Sequence, residues 1–133
     1  MKTTIFFGSM IMISFISLGQ SRLDNWPVEE FTSVTVNSQY GDLHQDTFTS
    51  KDPKIIKMVF DYLHRIELKT FNPLSDVFSQ NTNDWNFIIR FNDWQDEFRI
   101  YDDHALVGKS TYVIRKDVSD KFFGFYKRLA TLK

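Results

Sequence analysis

Trp85-Asn-Phe-Ile-Ile-Arg-Phe91 and Glu97-Phe-Arg-Ile-Tyr101, separated by a short polar stretch, decide the fold of this chain. Trp85, Phe87, Ile89 and Phe91 recur at every second position, and Phe98 and Ile100 repeat the pattern on the return. A period of two places these side chains on one face of an extended chain, the signature of a sheet buried on one side. The segment therefore reads as a β-hairpin.

The side chains also argue for its register. With Asn92 to Gln95 as a four-residue loop, Phe87 faces Ile100, Ile89 faces Phe98, and Arg90 faces Glu97 on the opposite side. A two-residue turn at Asn92-Asp93 would instead set Ile89 against Asp96, leaving a half-buried carboxylate without a partner. The longer loop is preferred. Both registers send the same residues to the core, because a shift by two preserves parity.

Working back toward the N-terminus, Pro53 to Ile66 is expected to be a helix. Ser50 or Asp52 supplies an oxygen for the free amides of its first turn, where Pro53 has no N–H to lose. Ile55, Ile56, Val59, Phe60, Leu63 and Ile66 form one apolar stripe, while Lys57, Asp61 and Arg65 stand four apart on the other side. Phe31 to Asn37 has the β-branched content of a strand, and Tyr40-Gly41-Asp42 marks a turn into a more polar return over Leu43 to Thr49, where Gln45, Asp46 and Thr47 suit an edge strand or a loop. Trp26 belongs to an irregular lead-in. Glu67 to Asp84 reads as a long loop, with Leu68, Phe71, Leu74, Val77 and Phe78 docking its first half on the core and Ser79 to Asp84 as its flexible part.

Beyond the hairpin, Asp102-Asp103-His104 is a turn and Ala105 to Val107 a short strand. Gly108-Lys109 then suits a tight type II′ turn into Thr111 to Ile114, the alternative being one bulged strand through Gly108. Val118, Phe122, Phe125, Tyr126 and Leu129 follow at helical spacing, predicting a helix from about Asp117 to Thr131. The expected fold is α+β: an antiparallel sheet of four to six strands with both helices packed on one face.

Residues 1–19 read as a signal peptide and 20–133 as a single domain. Lys2 is the one charge in the leader, Ile5 to Leu18 is apolar apart from Gly and Ser, and Ser17-Leu18-Gly19 offers small residues for cleavage. The expected location is secreted or periplasmic in a bacterium, with no stable membrane span after cleavage. The absence of cysteine excludes a disulfide framework. Removing Lys2 from 16 basic residues leaves 15 against 17 acidic, so charge does not select a nucleic acid as partner. Aromatic residues make up 17% of the chain, enough to build a dense core without crosslinks.

Chemistry-bearing motifs are sparse. His44, His64 and His104 lack the spacing of a zinc site, and no Gly-rich phosphate loop, G-x-S-x-G elbow or cysteine nucleophile is present. No cofactor is expected. The outer face of the hairpin carries Arg90, Arg99 and Tyr101, with Trp94 in its loop; these residue types combine apolar area with a polar handle and dominate interface energetics. Trp94 is expected to be partly exposed, with Arg90, Arg99 and Tyr101 continuing one binding surface from it. The function expected is a non-enzymatic, inhibitor- or immunity-like module for a protein partner. The competing expectation is a small metal-assisted hydrolase using His104 with Asp102 or Asp103 and another histidine.

Overall fold

The computed structural model describes residues 23–40, 44–77, 85–92 and 94–132, with the side chains of His44 and Trp85 excepted. The leader at 1–19, the turn at 41–42 and the segment 79–84 lie outside the described residues. What is described is an α+β fold of one antiparallel sheet and two helices. In chain order its elements are β1 (Val34–Tyr40), β2 (His44–Ser50), α1 (Pro53–His64), β3 (Lys69–Thr70), β4 (Trp85–Phe91), β5 (Glu97–Ile100), β6 (His104–Val107), β7 (Ser110–Val113) and α2 (Asp117–Thr131).

Across the sheet the strand order is β2-β1-β4-β5-β6-β7-β3. Seven strands exceed the expected range by one, and the addition is β3, inside the stretch read as a loop. Two exposed residues carry no periodic signal; only their pairing of Lys69 with Val113 and Thr70 with Tyr112 makes them a strand. β2 and β3 sit at opposite edges, about 29 Å apart at the usual strand spacing. The connection that joins them, which contains α1, must therefore pass over the sheet, and Phe60 of α1 stands edge-on to Phe91 of β4 at 6.0 Å.

The hairpin register is the one the side chains argue for: Phe87 pairs with Ile100, Ile89 with Phe98, and Arg90 with Glu97. β1 adds to its other side, Val36 opposite Ile89 and Ser38 opposite Phe87. The α1 cap is also as expected. Asp52 accepts from the Lys54 N–H at 2.9 Å, and Ser50 Oγ accepts from the Asp52 N–H at 3.1 Å. Gly108 has φ of +63°, while no described non-glycine residue has a positive φ, so the two-residue turn into β7 is the type II′ form that glycine permits.

Both helices lie on one face, and the core between them and the sheet is aromatic. Phe122 of α2 stands edge-on to Phe87 at 4.7 Å, and Tyr62 of α1 stacks on Phe125 at 4.3 Å. Trp26 in the lead-in is buried and edge-on to Phe91. Tyr126 adds a polar tie that spans most of the chain: its hydroxyl donates to Asp46 Oδ2 of β2 at 2.7 Å. The expected docking of the long loop holds only at its start. Leu68 is buried, whereas Leu74 and Val77 are 95% and 90% exposed, because the Asn72 to Asp76 turn closes on itself through its own side chains instead of on the core. No helix among the described residues is long and apolar enough to cross a membrane.

Candidate functional site

Helices cover one face of the sheet, so alternate residues of the same strands present the other. Strand pairing orders that outer face into three transverse rows. The first runs Thr49, Thr35, Arg90, Glu97; the second Thr47, Asn37, Ile88, Arg99, Leu106, Thr111. The third runs Gln45, Gln39, Asn86, and by continuation Tyr101 and His104, to Val113 and Lys69. Hydroxyl and carboxamide groups dominate on β2, β1 and β4, and they bond to one another: Thr47 Oγ1 donates to Asn37 Oδ1 at 2.7 Å. This is the chemistry of a wet surface, whose hydroxyls and carboxamides can each donate and accept.

Over the second and third rows the face sinks into a depression of about 340 Å³, lined by Asn37, Gln39, Gln45, Thr47, Asn86, Ile88, Arg99 and Tyr101 among others. Arg99 is held there by two bonds to Glu97 Oε1, from Nε at 3.0 Å and Nη2 at 2.9 Å. Arg90 pairs with the other oxygen, Glu97 Oε2. The Arg90 hydrogen bond, followed by that of Arg99, draws the Glu97 carboxyl below its ordinary pKa, while Tyr101 first and Glu97 second raise that of the Arg99 guanidinium. One carboxylate thus braces two guanidinium groups, and the triad keeps one net positive charge. With Lys69, the rows carry three cations and one anion, on a chain whose formal net charge is −1.

Of the four residues expected to bind, the structure brings three together and sets one apart. Arg90, Arg99 and Tyr101 share the outer face. Trp94 is half-buried, as expected, and turns its ring to the helix-covered side, 5.9 Å from Trp26 and 6.4 Å from Phe31. The reason is apolar area: Phe31 stacks on Phe91 at the end of β4 and offers the indole a surface that the polar outer face does not. The Trp94 indole N–H is buried with no acceptor among the described residues, so packing holds this ring. Sequence reasoning placed Asn86 on the outer face with Arg99 and Tyr101 but missed Asn37, Gln39 and Gln45 on the neighbouring strands. Their signal was parity, since each alternates with residues that face the helices.

The two histidine side chains among the described residues, His64 and His104, engage separate partners. His104 Nδ1 lies 2.9 Å from Asp103 Oδ1, and its ring stacks on Tyr101 at 4.6 Å, so it is engaged within its own turn. His64 Nε2 meets Asp24 Oδ1 at 2.7 Å on the helix side. Among the described residues no three metal-ligating side chains come together. A second depression, of about 320 Å³, lies where the end of α1 meets the start of α2, between Tyr62, Ile66 and Val118. Of the ionic groups at its rim, Arg115 and Lys121 both pair with Asp117, and Arg65 and Glu67 also line it. Compared with known protein families, curated proteins and solved structures, the chain finds no match.

Proposed function

We propose that this protein is a non-enzymatic binding module, inhibitor- or immunity-like in kind, that acts outside the cytoplasm and receives a protein partner on the open face of its sheet. The observation that supports the reading is the contrast between the two faces: two helices seal one, and the other presents a polar depression with Arg99 and Tyr101 in its wall. Arginine and tyrosine are the residues most often found at binding hot spots. The charge of the face, three cations to one anion, favours an acidic partner and fast, salt-sensitive association.

Photoreactive groups placed on opposite faces test this. One at Asn37 on the open face should crosslink to a defined acidic protein in the envelope fraction of the producing cell, and Arg99→Ala should weaken that binding by about 2 kcal/mol. A probe at Lys57, on the exposed side of α1, should give no such product. Equal crosslinking from both positions, or a partner indifferent to Arg99→Ala, would overturn the open-face assignment.

A further inference from the structure

The two edges of the sheet are built differently. β3 is two residues long and carries Lys69, the short, charged form of edge that discourages pairing with another chain. β2 runs for seven residues, His-Gln-Asp-Thr-Phe-Thr-Ser, without lysine, proline or glycine, and stands at the opposite end of the described sheet. A long regular edge of this composition is a template for a further strand.

Two contacts establish which backbone groups of β2 point away from the sheet. The Asn92 N–H donates to the Ser33 carbonyl at 3.2 Å, so Ser33 addresses β4. Successive strand residues address opposite neighbours; Val34, Val36, Ser38 and Tyr40 therefore address β2, and their partners Ser50, Phe48, Asp46 and His44 address β1 in return. The Ser38 hydroxyl, donating to the Asp46 carbonyl at 3.5 Å, agrees with this. The N–H and C=O groups of Gln45, Thr47 and Thr49 are thus directed outward, on the side where the described sheet ends.

We propose that β2 is a self-association edge, on which a second copy of this chain pairs antiparallel about a two-fold axis at Thr47. In that register Thr47 faces Thr47 of the second copy, Gln45 faces its Thr49, and Asp46 faces its Phe48. The outward residues meet as hydrogen-bonded pairs and exchange about six N–H···O bonds. The neighbouring registers are poorer. Moving the axis to Asp46 sets two carboxylates opposite each other, which is unfavourable. Moving it to Phe48 leaves Gln45 without its partner and forms fewer bonds. Asp46, the one acidic residue of β2, therefore selects the register, with its own carboxylate held toward α2 by the Tyr126 hydroxyl.

This self-complementarity is what identifies the occupant as another copy. The inference stands apart from the proposed function but bears on it. Opposed residues of an antiparallel pair lie on the same face. The two open faces therefore join, and Gln45 and Thr47, which line the depression, lie at the seam beside Thr49 of the second copy.

The chain contains no cysteine, so a single introduced thiol reports on proximity. Sedimentation velocity over rising concentration should show a monomer–dimer equilibrium. Under mild oxidation Thr47→Cys should give a disulfide-linked dimer, since opposed residues in a pair fall within disulfide reach. Gln45→Cys should not, because the axis separates the two copies of that position by four residues of strand. Thr47→Lys should weaken dimerisation by at least about tenfold through like charges at the axis, whereas Thr35→Lys, one strand in, should leave it unchanged. A monomer at every concentration would overturn the proposal. So would a dimer that Thr47→Lys leaves intact, or one in which Gln45→Cys crosslinks as readily as Thr47→Cys. If Thr47→Lys fails to fold, the two thiol variants decide alone.

Discussion

The two faces of the sheet use the same strands for opposite purposes. On β4, Phe87, Ile89 and Phe91 are sealed beneath the helices, while Asn86, Ile88 and Arg90 alternate with them toward solvent. The covered face meets Phe122, Phe125 and Tyr126 from α2 and Val59, Phe60 and Leu63 from α1, all buried. On the open face, ion pairs and Thr–Asn contacts hold side chains in place with little apolar burial. One residue of displacement along a strand thus separates stability from surface chemistry, and substitutions at alternating positions should separate them too.

Adjacent isoleucines give the largest contrast. Ile89→Ala empties a fully buried site and should cost about 3–4 kcal/mol, whereas Ile88→Ala, on the open face, should cost about 1 kcal/mol; urea denaturation measures both. Similar losses would mean that the open face is covered in solution. Trp94→Ala comes next. Its packing on Trp26 and Phe31 assigns the ring to the covered side, with an expected loss of about 2 kcal/mol and unchanged partner binding. A stable variant with weakened binding would return Trp94 to the site.

Each face should also set one limit of the pH–stability profile. Glu97 is drawn below its ordinary value of 4.5 by Arg90 and then Arg99. A depressed folded-state pKa adds stability that is fully present above the unfolded value and is lost as pH falls through the folded one. Stability should therefore decline on acidification below about pH 4.5, and less steeply in Glu97→Gln. Tyr126 and Tyr62 behave in the opposite sense. Burial, aided at Tyr126 by the bond to Asp46, raises both above the ordinary 10.0. Their folded state favours the proton, so stability is retained below pH 10.0 and lost as pH rises beyond it. Thermal melts across pH should show a weaker alkaline decline in Tyr126→Phe; an unchanged one would assign that limit elsewhere.

The smallest stability effect belongs to Arg99→Ala. The pair with Glu97 is partly solvated and Arg90 remains, so the change should be no more than about 0.5 kcal/mol in denaturation. A much larger loss would make the triad part of the fold instead of the recognition surface.

Arg99 and Trp94 mark how far the site could be read from sequence. Parity along Glu97 to Tyr101 places Arg99 and Tyr101 on the outer face, and the same parity along β1 and β2 would have added Asn37, Gln39 and Gln45. Trp94 sits in a loop, where no period applies. Its side was chosen by Phe31, some sixty residues away.

By itself the sequence determined what local periods and end signals carry: the α+β class, the two helices with the first starting at Pro53, and the Phe87–Ile100 register, while the Asp52 cap and the two-residue turn at Gly108 were each one of two local options. These depend on neighbours within a few residues, where alternation, capping and charge pairing act directly. Only the tertiary structure decided that β1 lies beside β4, that Lys69–Thr70 closes the far edge, and that Tyr126 reaches back to Asp46. It also gathered four strands around one depression and left β2 at the sheet's end. Those features rest on pairings between distant segments, chosen by how much apolar surface each alternative buries and how many backbone groups it satisfies. No local pattern encodes that choice.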